Sequence, residues 1–242
     1  MSTGVGLVAY WQAKAAHSLQ QRGMWGTIRR AAGLPGRLLR VRWVWWRLDN
    51  PWLRYTDRQF DRRYGVDTAD VVGDYGPTHA GTFTRALRDV DVDYRRFAFI
   101  DFGCGKGKAL LLAARRPFKR IIGVELAPEL VDVARRNVAQ YVKRSGGADV
   151  FELVCADAAE YRIPHDPAVF FFFNPFRAET MRPVLDNIRR SLEAAPREIY
   201  VIYKYPLLRS LLDECGFLTP LKQTSLYVIY RTARDSGHAP HV

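Results

Sequence analysis

The sequence predicts an α/β protein, a doubly wound and mostly parallel sheet with helices on both faces, behind a basic N-terminal extension. Two patterns carry that expectation. From about Phe97 onward, near-continuous apolar runs alternate with helical patterns, as in parallel sheets whose strands are covered on both sides. At the first such junction, FAFIDFGCGKGKALLLAA (97–114), three glycines stand at alternate positions, Gly103, Gly105 and Gly107. A glycine inside an ordinary element costs about 1 kcal/mol. Three together mark a sharp turn and a close approach.

The elements follow in order. FAFIDF reads as the first strand and GKALLLAARR as the helix after it. RIIGVEL is the second strand, and APELVDVARRNVAQYVKR the second helix. On that helix Leu130, Ala134, Val138 and Tyr141 recur at spacings of four, four and three, one buried face. VFELVCAD, AVFFFFNPF and EIYVIYKYP supply three more strands, with the helical AETMRPVLDNIRRSLEAA between the last two. Phe170 to Phe173 are read as core of a central strand. The end, GFLTPLKQTSLYVIYR, changes character: two strand-like pieces across a short polar break predict an antiparallel hairpin.

The 242 residues, 48% hydrophobic and 26% charged, suffice for one α/β domain plus an extension. No run of about 18 apolar residues argues for a membrane span. The start, MSTGVGLVAYWQAKAAHSLQQ, lacks the positive segment and small-residue cleavage site of a secretory signal. Cys104, Cys155 and Cys215 show no CxxC spacing and read as reduced thiols, so a cytoplasmic location is expected. His17, His79 and His165 have no metal-ligand spacing, and no metal is expected.

The +12 net charge is uneven: residues 1–56 carry nine Lys/Arg against one acid, a net +8. The division expected is therefore a Trp/Arg-rich extension, 1–55, and a catalytic domain, 56–242. GRLLRVRWVWWRLDNPWLRY holds four of the six tryptophans and fits neither a helical nor a strand period. Three uses stay open for it. Trp43, Trp45 and Trp46 would pack on the domain as a cap with arginines reaching water, the segment would lie peripherally on an anionic membrane surface, or it would grip nucleic acid.

The glycine turn also sets the chemistry. Ligands of doubly wound sheets bind beyond the carboxyl ends of the strands. A dinucleotide GxGxxG would place its third glycine at position 108, which is Lys108; here the pattern is D-x-G-x-G-x-G, Asp101 to Gly107. It resembles motif I of the class I, seven-strand S-adenosylmethionine-dependent methyltransferases, and the resemblance covers roughly Tyr75 to Arg231. It implies strand order 3-2-1-4-5-7-6 and S-adenosyl-L-methionine as cofactor. It also implies cofactor contacts at Asp101, Gly103, Cys104, Gly105 and Gly107. Glu125 ends the second strand, eighteen residues after Gly107, and would accept the two ribose hydroxyls. Asp157, after the third strand, would face the adenine amino group, with Ala158 small enough to leave room for the ring. Asn174, Pro175 and Phe176 end the fourth strand at the reacting centre.

Methyl transfer is an in-line displacement in which the protein aligns and desolvates the acceptor. An asparagine carbonyl can accept an acceptor N–H and turn its lone pair toward the methyl group, while Phe176 packs on a planar acceptor or shields an amine. Nitrogen is the acceptor favoured. Asn174-Pro175-Phe176 is similar to the turn of the amino-methylating enzymes of adenine and glutamine, without their second proline. It is also similar to that of the non-SET histone-lysine methyltransferases, with proline in second place. DYGPTHAGTFTRALRDV resembles that second family's loop at Tyr75, Gly76 and Thr78, which implies that Tyr75 and Thr78 close over the methionine end of the cofactor. The resulting expectation is N-methylation of a protein lysine. The alternatives are an RNA or DNA base methyltransferase using the basic extension, and a cofactor-binding protein without catalysis. An NAD-dependent oxidoreductase holding a ribose at Glu125 is the minor one.

Overall fold

The computed structural model describes residues 51–68, 78–146 and 150–233. The expectations for Tyr75 and for residues 1–50 of the extension lie outside them. The chain divides into two compact units, residues 1–63 with 69–77 and residues 64–68 with 78–242. Residues 51–63 of helix α1, Pro51–Tyr64, are the described part of the first.

The second unit alternates strand and helix: α2 (Ala80–Arg88), β1 (Ala98–Phe102), α3 (Lys108–Ala113), β2 (Arg120–Glu125), α4 (Pro128–Ser145), β3 (Phe151–Cys155), β4 (Ala168–Phe172), α5 (Ala178–Ala194), β5 (Ile199–Lys204), α6 (Arg209–Asp213), β6 (Leu218–Gln223) and β7 (Tyr227–Thr232). The seven strands form one sheet in the order β3-β2-β1-β4-β5-β7-β6. β1 to β5 run parallel, and β7 pairs antiparallel with both β5 and β6. The class, order and closing hairpin predicted from the sequence are those observed.

Burial explains the pattern. β1, β4 and β5 are buried along their whole length, because helices cover both faces. On one face Phe102, Phe170, Phe172, Val201 and Tyr203 pack with Met181, Val184 and Ile188 of α5. On the other, Phe83 of α2 meets Phe99 and Phe171 edge-on, with ring centroids 5.7 and 5.1 Å apart. Each such fully buried side chain contributes about 1.5–3 kcal/mol. β6 closes an edge with exposed residues, Pro220 and a register shift at Pro220/Lys222, features that discourage further pairing. No helix of the described residues is long and apolar enough to cross a membrane.

Two details differ from expectation. On α4 the buried residues are Val131, Ala134, Asn137, Val138 and Tyr141, while Leu130 is only half-buried. Leu130 lies in the first turn, where the helix has barely started back along the sheet. Phe173 is also half-buried, because β4 ends at Phe172 and the chain turns out of the core there.

Candidate active site

Gly103, Gly105 and Gly107 have φ of 75°, 53° and 83°. The turn after β1 is therefore left-handed at every second residue, a conformation that costs other residues about 1–2 kcal/mol each. Hydrogen bonds lock it. Gly103 and Cys104 N–H donate to the Val124 carbonyl at 2.8 and 3.2 Å, and Gly107 N–H to the Cys104 carbonyl at 2.9 Å. Part of the glycine requirement is internal: a Cβ on Gly103 would stand 2.5 Å from the Pro175 Cβ. The turn after β1 thus touches the turn after β4. Gly123 of β2 was not singled out in the sequence. A Cβ there would meet Leu110, Cys104 and Leu153 within 2.6–2.9 Å; a lone glycine inside the apolar RIIGVEL was the signal.

Register brings the carboxylates together. Asp101 pairs with Gly123, and Glu125 with Cys155, so the tips of β1, β2 and β3 lie side by side. Glu125 Oε2 accepts from Gly105 N–H at 2.9 Å, while Oε1 accepts from Leu126 and Ala127 N–H at 2.9 and 3.1 Å. Three of its roughly four acceptor positions are used. A sugar hydroxyl reaching Glu125 takes the remaining position or displaces Gly105. Asp157 is exposed; its Oδ1 accepts from Ala159 N–H at 2.8 Å and starts a turn. Ala158 is buried in the core. Its carbonyl accepts from Asn187 Nδ2 at 3.0 Å, as does Tyr161's at 2.8 Å. Asn187, on α5, thus holds the loop after β3, a role no local pattern announced.

Asp101 is 4% exposed. Burial, and then the neighbouring charge of Glu125, push its pKa well above the usual carboxylate value. The Cys104 thiol is pushed up by burial and then by the charges of Asp101 and Glu125, so it stays protonated and serves as a small filler. A buried carboxyl suits a cationic ligand, since a positive charge beside it reverses the cost of ionisation. A sulfonium nucleoside bearing an ammonium group fits this set, with Glu125 available to the sugar and Asp157 beyond β3.

The turn after β4 is unusual in its backbone. Asn174 has φ of 47°. Its Nδ2 donates to the Tyr205 carbonyl at 2.7 Å and its Oδ1 accepts from Leu207 N–H at 3.3 Å. Tyr205, just past β5, is left-handed as well, with φ of 47°. The rings of Phe173 and Tyr205 lie 5.7 Å apart, with Lys204 Nζ 3.8 Å from the Phe173 centroid. Phe176 is half-buried, 6.3 Å from Phe172. Thr78 is buried just ahead of α2. Tyr205 and Lys204 carried no sequence signal, because nothing in KYP distinguishes a left-handed tyrosine.

Comparison with known proteins bears on this geometry. Residues 99–195 match the family described as Methyltransferase domain, a span that includes Asp101, the glycine turn, Glu125, Asp157 and Asn174. A search of curated proteins finds none that matches. Among solved structures the chain is similar to precorrin 8w decarboxylase of Methanobacterium thermoautotrophicum, at 22% identity over 66% of this chain and 92% of that one, TM-score 0.46. It is similar to an RNA methyltransferase from Salinibacter ruber in complex with S-adenosyl-L-homocysteine, at 21% identity over 68% and 97%, TM-score 0.42. A third is the ribosomal protein L11 methylase of Lactobacillus delbrueckii subsp. bulgaricus, at 15% identity over 66% and 82%, TM-score 0.47.

Proposed function

We propose that this chain, an enzyme that draws its methyl group from S-adenosyl-L-methionine, delivers that group to nitrogen, on a protein lysine. The observation that carries the reading is the turn after β4: Asn174 is held left-handed there, and Pro175 stands against the glycine turn at Gly103. An acceptor resting on Asn174 is then adjacent to the cofactor loop.

The cofactor supplies an electrophilic methyl on a sulfonium. The chain's own residues do the remainder. Asn174 Oδ1 holds one N–H, that of Leu207 at 3.3 Å, and its second lone pair is left to accept an amine N–H. Phe173, Phe176 and Tyr205, all half-buried, exclude water and favour the uncharged amine. With the cofactor bound, the lone pair of the amine held by Asn174 would take the methyl group, sulfur would keep the C–S electron pair, and the surplus amine proton would pass to solvent.

The test is to incubate a cell extract with the enzyme and methyl-tritiated cofactor, then separate protein, RNA, lipid and small molecules. Label in protein, recovered after hydrolysis as methyl-lysine, is the expected result. Label in RNA or DNA would replace it with the second reading, a base methyltransferase. That reading is favoured by one observation, the net +8 of residues 1–56, and requires nucleic-acid binding that weakens steeply with salt.

A further inference from the structure

One face of α4 carries a second piece of chain. Asn137, Tyr141 and Arg144 recur at spacings of four and three, and residues 64–67 lie along them. The rings of Tyr64 and Tyr141 are 4.7 Å apart. Gly65, with φ of 66°, leaves room for the Arg144 guanidinium, which a Cβ would approach to 2.5 Å. Asp67 N–H donates to Asn137 Oδ1 at 2.8 Å, and Asn137 Nδ2 donates to the Asp67 carbonyl at 2.8 Å.

Asn137 does more than dock this strap. It is 4% exposed, and the same Nδ2 donates to the Lys106 carbonyl at 3.0 Å. Lys106 stands between left-handed Gly105 and Gly107, where the backbone is freest to rotate. The peptide joining Lys106 to Gly107 is gripped on both sides, its carbonyl by Asn137 and its N–H by the Cys104 carbonyl at 2.9 Å. Lys106 is pinned a second time through Nζ, 2.9 Å from Asp67 Oδ1. Strap, helix and glycine turn therefore meet at one asparagine.

We propose that Asn137 is a positioning residue for the cofactor: by holding the Lys106–Gly107 peptide and the 65–67 strap together, it keeps the glycine turn in its binding geometry before the cofactor arrives. Without it the turn samples other conformations, and binding must order it first, which weakens affinity without altering the transfer step. The inference rests on the glycine turn being the cofactor site.

Its test uses the full chain, with S-adenosylhomocysteine as the titrant in calorimetry and steady-state kinetics beside it. Asn137→Ala removes all three hydrogen bonds. Asn137→Asp keeps size and the acceptor but loses both donors, and decides the matter if the alanine variant folds poorly. Gly105→Arg serves as the control for the site itself. Asn137→Asp is expected to weaken binding about tenfold or more. The cofactor KM should rise in parallel, with kcat at saturation within about twofold of the wild type. Wild-type affinity in Asn137→Asp, or a fall in kcat with KM unchanged, overturns the proposal when Gly105→Arg has lost binding. Undiminished binding by Gly105→Arg would instead remove the site on which the proposal rests.

Discussion

Asn174 Nδ2 donates to the Tyr205 carbonyl at 2.7 Å, joining two non-glycine residues that both sit at φ of 47° past the ends of neighbouring strands. Each left-handed backbone costs about 1–2 kcal/mol, and the bond holds both where Phe173 and Tyr205 face each other. Under the proposed reading, this strained strand tip beside the glycine turn is the acceptor site, held in place before the acceptor arrives.

Glycine separates the two contributions at position 174. Asn174→Gly relieves the backbone and deletes the amide, so the protein should stay folded and bind S-adenosylhomocysteine almost as the wild type does. Its turnover should fall by roughly 10² or more, as when an orienting group is lost. Asn174→Ala should show the same turnover loss and a lower melting temperature as well. Equal turnover in wild type and Asn174→Gly would take Asn174 out of the reaction.

Gly103 and Pro175 offer a second test. A methyl at 103 would press on Pro175 from 2.5 Å, on a backbone at φ 75°. Gly103→Ala should destabilise the protein by about 1–3 kcal/mol. Pairing it with Pro175→Gly removes the opposing Cβ and leaves the left-handed cost, so a double-mutant cycle by urea unfolding should give a favourable coupling. Strict additivity would mean that the two turns are not in contact.

Asp101 makes a prediction in pH. Its folded pKa is raised, so the folded state holds the proton more tightly than the unfolded chain, and stability from this group is lost as pH rises through the folded value. Asp101→Asn, which cannot ionise, should melt higher at neutral pH, by about 2–4 °C for each 1 kcal/mol relieved. It should bind a cationic cofactor less well. In the wild type, affinity should fall as pH drops toward the Asp101 pKa, because the proton and the cofactor's charge compete for one carboxylate, and in Asp101→Asn that dependence should vanish. A pH-independent wild-type affinity over the range above the ordinary carboxylate value would show that Asp101 does not face the ligand.

The sequence made the sheet legible because burial on both faces forces apolar runs, and the turn after β1 legible because left-handed backbone forces glycine. Glu125 and Asp157 were placed by their positions at strand ends. Their hydrogen bonds were not, since Glu125 reaches back twenty residues to Gly105. Asn137 and Asp67 stand seventy residues apart, a separation across which no local period reports. Four consecutive phenylalanines gave no sign that the strand stops before Phe173. The extra glycine in RIIGVEL, by contrast, was a visible mark that three packed side chains explain.

The most direct measurement is calorimetric titration of the wild-type chain and of Glu125→Ala with S-adenosylmethionine, with NAD titrated in parallel. Saturable binding of the sulfonium nucleoside by the wild type, loss of most of that affinity in Glu125→Ala, and no heat from NAD is the outcome predicted. No binding of S-adenosylmethionine by the wild type, or a tighter complex with NAD, would contradict the account.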